Sequence, residues 1–109
     1  MESVYISGPY TATTKEQRDA NVQRAKAAAQ EFARKGYAVF CPHLQSHGWE
    51  DETDLGYDYF LTADLYWLYK CDRIVMLPGW KDSKGAKIEH MAARALGLVT
   101  YYMKEGETA

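Results

Sequence analysis

The chain has 109 residues, of which 47% are hydrophobic and 26% are charged. These values predict a single globular domain over residues 1–109 and exclude a disordered or fibrous chain. Thirteen basic and fifteen acidic residues give a formal net charge of -2. This balance argues against a nucleic-acid partner, because such binders neutralise phosphates with an excess of Lys and Arg.

Targeting signals and unusual residue types narrow the class of protein further. No apolar run reaches the roughly 18 residues of a membrane span, and Glu2 leaves no room for a signal peptide. Two cysteines are too few for a disulfide scaffold, so we expect a cytoplasmic protein without a membrane partner. Aromatic residues make up 14% of the chain. Since a small domain cannot bury them all, we expect rings at a pocket and between subunits, in at least a homodimer.

The first half of the chain is predicted as strand, helix, strand and loop. The β-prone run 3–6 stops at a turn signal, Gly8 and the proline after it. Overlapping capping boxes precede a helical periodicity over about 15–35. The run 37–41 is the second strand, and the polar stretch 43–54 is predicted as a loop.

The second half continues the alternation with a helix over about 56–70, a strand over 73–77, a helix over about 85–96 and a strand over 98–102. The outer face of the 56–70 helix is rich in aromatic residues and is the predicted dimer contact. In the 85–96 helix, the residues predicted to face inward are the apolar ones at helical spacing, Ile88, Met91, Ala92 and Ala95.

Strands that alternate with helices predict an α/β fold of three layers. The expected form is a flavodoxin- or Rossmann-like parallel sheet of four to five strands with helices on both faces. Ligands of such sheets bind at the carboxyl ends of the strands. In this chain those ends correspond to residues 7–14, 41–54 and 78–89.

Two carboxylates stand out near these ends. Asp64 falls within the apolar stripe of the 56–70 helix, where it is either paired with an Arg or Tyr or functional. Glu89 lies near the start of the last helix, where the helix dipole favours an ionised carboxylate. Ser83 and Gly85 at that helix start form a candidate anion site. Two carboxylates beside an anion site suit cleavage of a glycosidic bond in a phosphorylated sugar.

Histidine and tryptophan residues near the strand ends allow other interpretations. Cys41, His43 and His47 are too loosely spaced for zinc and lack a fourth ligand, so we expect neither a metal nor another cofactor. His43 is instead predicted to line the pocket. Trp49 and Trp80 lie in the loops over the crevice, where stacking on a nucleobase and ordinary packing both remain open.

Several motifs together resemble the nucleoside 2-deoxyribosyltransferase superfamily. They are the run VYISGPYT at 4–11, Asp64 with the leucine after it, the Cys-Asp pair at 71–72, and SKGAKIE at 83–89. The resemblance extends to about residue 101 and is strongest to the small phage and bacterial members. It implies a nucleoside or nucleotide as the small-molecule partner.

The resemblance implies a role for each matched residue. Glu89 would attack the anomeric carbon, Asp64 would assist departure of the base, and Tyr5 would position the nucleophile. The residues predicted to bind substrate, from the resemblance and from their place at the strand ends, are Ser7, Gly8, Pro9, Tyr10, His43, Gly79, Trp80, Ser83 and Gly85.

Ser83 separates two branches of the superfamily. Transferases of free nucleosides carry an acidic residue at this place, whereas the relatives that hydrolyse 2'-deoxynucleoside 5'-monophosphates carry a serine. Ser83 therefore implies an N-glycosidase acting on a nucleoside 5'-monophosphate through a glycosyl intermediate on Glu89. The alternatives are base exchange by a deoxyribosyltransferase and a nucleotide-binding module without catalysis.

Overall fold

A computed structural model describes residues 1–107 and contains a parallel sheet of four strands. They are β1 (Ser3–Ser7), β2 (Ala38–Phe40), β3 (Arg73–Met76) and β4 (Val99–Tyr102). The strand order is β2-β1-β3-β4, and each neighbouring pair is parallel. The predicted α/β parallel sheet is confirmed, with four strands.

The helices are α1 (Lys15–Arg34), α2 (Pro42–Gln45), α3 (Trp49–Glu52), α4 (Tyr57–Leu68) and α5 (Lys84–Leu96), with a 3₁₀ turn at Trp80–Asp82. Helix α1 begins as its capping pattern predicts, because the Thr14 hydroxyl accepts a hydrogen bond from Gln17 N at 3.1 Å. Within residues 1–107, none of the helices has the length and apolar character needed to cross a membrane.

The prediction of a plain loop over 43–54 was wrong, because α2 and α3 occupy most of it. Pro42 opens α2, where its fixed φ is suited to a first helical turn. The Cys41 carbonyl accepts hydrogen bonds from Leu44 N and Gln45 N. Helices of four residues lack the periodicity from which a longer helix is predicted.

The helices cover both faces of the sheet, as predicted. Val4 and Ile6 of β1 pack against α1, whereas Tyr5 belongs to the cluster formed with α4 and α5. This division follows from the two-residue alternation of side chains along a strand. The strands therefore lie between one layer made by α1 and another made by α4 and α5.

The predicted inward face of α5 was partly wrong. Met91 is 70% exposed and Ala95 is also exposed. The buried residues are Ala86, Glu89 and Ala93. The carboxylate Glu89 lies in the middle of this buried stripe. Because the apolar periodicity counts only hydrophobic residues, it indicated a neighbouring stripe of α5 that includes Met91.

The carboxyl ends of β1 and β3 set the geometry of the upper edge of the sheet. Gly8 follows β1 and passes close to Leu77, which follows β3. A Cβ on Gly8 would lie 2.7 Å from the Leu77 Cβ atom, so only glycine fits between the two chains. The loops that leave β1 and β3 then diverge and frame the site described next.

Candidate active site

A cavity of about 330 Å³ lies at the carboxyl edge of the sheet. The loop after β1, segment 42–50, helix α4 and the start of α5 form its walls. Its volume lies in the range of small-molecule sites. The predicted site residues that line it are Gly8, Tyr10, His43, Asp64, Ser83, Gly85 and Glu89.

Five predicted site residues lie outside this lining. Tyr5 and Ser7 are fully buried beside Glu89. The Pro9 ring faces Gly79, where an added Cβ would lie 3.3 Å from Pro9 Cγ. Trp80 packs against His90, with ring centroids 4.3 Å apart. The structure thus places Tyr5 and Ser7 behind Glu89, whereas Pro9, Gly79 and Trp80 lie outside the lining of the cavity.

Glu89 is held by two hydroxyl groups from β1. Ser7 Oγ donates a hydrogen bond to Glu89 Oε1 at 2.6 Å, and Tyr5 Oη donates to Oε2 at 2.9 Å. Although Glu89 lines the cavity, it is only 6% exposed. Each carboxylate oxygen therefore has one donor while the side chain still borders the cavity.

Burial raises the pKa of Glu89 to about 7. The hydrogen bonds from Ser7 and Tyr5 act in the opposite direction, and the nearby charge of Asp64 raises the pKa further. Burial and Glu89 also raise the pKa of Tyr5 well above its ordinary value. Tyr5 is therefore a hydrogen-bond donor throughout the physiological pH range.

Asp64 is the second carboxylate of the cavity and projects from α4. Burial raises its pKa to about 7, and in residues 1–107 no hydrogen bond offsets this effect. Of the two carboxyl groups, Glu89 has donors that stabilise its anion, whereas burial without a donor favours the protonated form of Asp64. This pair can supply one nucleophile and one acid at neutral pH.

The start of α5 forms another wall of the cavity. Ser83 is the N-cap residue, and its Oγ accepts a hydrogen bond from Ala86 N at 3.2 Å. The hydroxyl proton of Ser83 remains able to donate to a ligand, as do the first backbone N–H groups of the helix. Tyr57 borders this end, since its hydroxyl would lie 3.6 Å from a Cβ added to Gly85.

A polar network includes Tyr10 and Glu50 of the cavity lining. The Tyr10 hydroxyl donates to Glu50 and lies 3.1 Å from His47 Nδ1. Arg18 of α1 donates to Glu50 Oε1 at 3.0 Å. Burial and the Glu50 hydrogen bond raise the pKa of Tyr10 to about 12. This network connects α3 to α1 and the loop after β1.

Sequence reasoning missed Glu50 and Tyr57, both of which line the cavity. Glu50 stands in a stretch predicted as a loop, and hydrogen bonds from Tyr10 and Arg18 hold it beside the cavity. Tyr57 stands four residues before Leu61, the spacing of an apolar helical stripe, yet it is 46% exposed and lines the cavity. No local sequence signal distinguishes either residue.

His43 lines the cavity with a defined tautomer. Because the Pro9 carbonyl can only accept, His43 Nε2 carries the proton of their 2.9 Å hydrogen bond. Burial lowers the pKa of His43, which keeps the ring neutral. Burial also raises the pKa of the Cys41 thiol to about 11. Within residues 1–107, no three His, Cys, Asp or Glu side chains are grouped to hold a metal.

Comparison with solved structures relates the fold to known proteins. The 2-deoxyribosyltransferase of the psychrotolerant bacterium Bacillus psychrosaccharolyticus is similar at a TM-score of 0.68 and 20% identity, covering 98% of this chain and 76% of that chain. The 2-desoxiribosyltransferase from Leishmania mexicana is similar at a TM-score of 0.64 and 17% identity, covering 94% and 64%. At these identities the likeness concerns the fold, and at that level the resemblance to deoxyribosyltransferases is confirmed.

Sequence comparisons add a family assignment. A search of the curated proteins found no match. Residues 2–102, nearly the whole chain, match the family described as "Domain of unknown function (DUF4406)". The protein therefore belongs to this family.

Proposed function

We propose that the protein cleaves the bond between base and sugar in a nucleoside or nucleotide, with Glu89 as the nucleophile. The main support is a buried carboxylate that borders a small-molecule cavity, held by Ser7 and Tyr5 and facing a site shared with Asp64. Support of a different kind comes from the two solved structures of similar fold, both named as deoxyribosyltransferases.

In the first step, a Glu89 oxygen forms a bond to the anomeric carbon as the glycosidic bond breaks. The departing base takes the electron pair of that bond, and the Asp64 carboxyl supplies its proton. In the second step, water attacks the anomeric carbon and gives a proton to Asp64. The sugar then leaves, and Glu89 returns as a carboxylate.

The N-terminus of α5 supports a phosphorylated substrate. Ser83 lines the cavity at this end, and a hydroxyl beside the first N–H groups of a helix attracts an anion. An acidic residue in its place would repel a phosphate. A nucleoside 5'-monophosphate, hydrolysed to free base and a sugar phosphate, is therefore the favoured substrate.

The charge of the cavity supports a second candidate, base exchange on an uncharged nucleoside. In residues 1–107 the cavity lining contains three carboxylates, Glu50, Asp64 and Glu89, and no lysine or arginine. A phosphate would therefore be bound without a cationic side chain from this lining. An uncharged 5'-hydroxyl would not encounter this repulsion.

Chromatography of released bases tests both candidates. The purified protein is incubated with the common nucleosides and their 5'-monophosphates, with and without a second free base. Release from monophosphates alone supports hydrolysis, whereas a new nucleoside formed from the added base supports exchange. A folded protein that releases no base from any of them contradicts both.

Glu89→Gln is the matched variant, because an amide keeps the size of the side chain but removes its nucleophilic charge. We expect base release to fall by at least about 1,000-fold, as for loss of a catalytic nucleophile. The control is Asp54→Asn, which makes the same change at an exposed site outside the cavity. Turnover by Glu89→Gln at the wild-type rate would exclude Glu89 as the nucleophile.

A further inference from the structure

Ser7 ends β1 with a fully buried side chain that does not line the cavity. Its hydroxyl donates at 2.6 Å to Glu89, a carboxylate 82 residues away in the chain. A buried hydroxyl needs a hydrogen-bond partner, and a nearby backbone carbonyl would be sufficient. The partner here is ionisable and borders the cavity, so the contact is stronger than one between neutral groups.

Tyr5 complements Ser7 through the geometry of the strand. Residues two apart in a strand project to the same face, so β1 presents both hydroxyls to Glu89. Each hydroxyl takes a different oxygen of the carboxylate. The last torsion of a glutamate is otherwise soft, but rotation of Glu89 about it would break one or both bonds. The two donors therefore define the plane of the carboxylate.

We infer that Ser7 is a positioning residue whose hydroxyl fixes the orientation and the charge of the Glu89 carboxylate without touching the substrate. The mechanistic part rests on the proposed function, in which Glu89 is the nucleophile. Ser7 then acts in both steps. It keeps an oxygen aligned for attack, and it stabilises the carboxylate that leaves when water releases the sugar.

The contacts of Glu89 determine whether loss of the Ser7 hydroxyl should raise or lower the pKa of its carboxyl group. Burial and Asp64 raise the pKa of Glu89, whereas the hydrogen bonds from Ser7 and Tyr5 lower it. Removing the Ser7 hydroxyl leaves burial opposed by Tyr5 alone. The Glu89 carboxyl in Ser7→Ala should therefore hold its proton to higher pH than in the wild type.

Carbon-13 NMR of protein labelled at the glutamate carboxyl carbons measures the protonation of Glu89 as a function of pH, without any substrate. The Glu89 resonance is assigned by its disappearance in Glu89→Gln. In Ser7→Ala we expect the titration midpoint to rise by about one pH unit, as for loss of one hydrogen bond to a charged group. An unchanged midpoint would overturn the inference.

Two further variants separate the hydroxyl from the packing. Ser7→Cys preserves a weak donor of similar size, so the Glu89 titration midpoint should rise less in Ser7→Cys than in Ser7→Ala. If Ser7→Ala does not fold, the Glu89 midpoint in Ser7→Cys provides the test. Ser46→Ala removes a cavity hydroxyl that bonds the Pro42 carbonyl instead of a carboxylate. A Glu89 midpoint that moves equally in Ser46→Ala would overturn a specific role for Ser7.

The pH profile of base release links the contact to the reaction. In Ser7→Ala the acid limb of the kcat/KM profile should move to higher pH, by the same number of pH units as the NMR midpoint of Glu89. A limb that stays in place while the midpoint moves would overturn the role in the reaction. If the wild type releases no base but the midpoint still moves, the effect of Ser7 on Glu89 stands and the proposed function fails.

Discussion

The two faces of the sheet are built from the same strands but differ in what they bury. Against α1, the strands pack an apolar cluster that includes Val4, Ile6 and Phe32. On the opposite face, β1 directs Tyr5 and Ser7 to the buried carboxylate Glu89. Because side chains alternate along β1, a single strand contributes to a stabilising core on one face and to a polar site on the other.

The groups buried on the two faces of the sheet have opposite effects on the free energy of unfolding. Burying apolar side chains beneath α1 favours the folded state. Burying Asp64 and Glu89 disfavours it at neutral pH, since each group has a pKa raised to about 7. Sites that lower stability in this way are common where activity requires them.

The largest effect on stability is expected on the α1 face. Phe32 is 8% exposed and packs against Tyr37 and Tyr101. Phe32→Ala should lower the free energy of unfolding by about 3 kcal/mol because it leaves a cavity in the apolar core. Urea denaturation measures the loss. Base release per folded molecule should be retained, because Phe32 lies outside the active-site cavity.

Met91→Ala is the control for this substitution. Met91 is 70% exposed on α5, so the change should cost less than about 0.5 kcal/mol. Equal losses from Phe32→Ala and Met91→Ala would contradict a stabilising role for the apolar cluster beneath α1.

A smaller effect of opposite sign is expected at Asp64. Its pKa is raised in the folded state from 3.8 to about 7, so the wild type loses stability as pH rises between these values. Asp64→Asn avoids this loss. At pH 8 we expect a free energy of unfolding about 1–2 kcal/mol above that of the wild type, given the partial access of water.

Urea denaturation at pH 4 and pH 8 measures the free energies of unfolding of Asp64→Asn and of the wild type. At pH 4 we expect the difference between the two proteins to be near zero. The control is Asp54→Asn, which makes the same change at an exposed residue outside the cavity. If Asp64→Asn is less stable than the wild type at pH 8, the carboxylate has a stabilising partner and the contrast between the faces weakens.

The smallest effect on stability is expected on the outer side of α4. Tyr66 of α4 and Tyr69, which follows the helix, are 58% and 69% exposed, and the homodimer is predicted to form through this surface. Tyr66→Glu should change the free energy of unfolding of the protomer by less than about 0.5 kcal/mol. Light scattering should nevertheless show a fall from twice the chain mass of 12.4 kDa to that mass. A monomeric wild type would contradict the prediction.

Apolar periodicity predicted the elements that extend over several turns or a whole strand. The parallel sheet and helices α1, α4 and α5 are confirmed, with ends that differ by one or two residues. The short α2 and α3 were missed, and Met91 was assigned to the wrong face of α5. In α5 a carboxylate stands where an apolar residue would otherwise mark the buried stripe, so hydrophobicity alone indicated the wrong phase.

The residues of the candidate site also divide into those that the sequence predicted and those that it did not. Asp64 was predicted because a carboxylate is unusual within an apolar stripe. Glu89 was predicted because it lies near a helix start beside Ser83 and Gly85, and the family resemblance implied the role of both carboxylates. Glu50 and Tyr57 were not predicted, since they reach the cavity only through the packing of α3 and the start of α4. Trp80, predicted to contact substrate, packs against His90 and lies outside the lining of the cavity.

The sequence by itself determined the alternation of the four strands with the three long helices, the edge of the sheet at which the cavity lies, and the two carboxylates Asp64 and Glu89 that line it. These are local properties of composition and spacing. Only the tertiary structure decided that Tyr5 and Ser7 each bind one oxygen of Glu89, across 84 and 82 residues of chain. A hydrogen bond requires a donor and an acceptor within about 3 Å, and that distance is set by how α5 packs on β1.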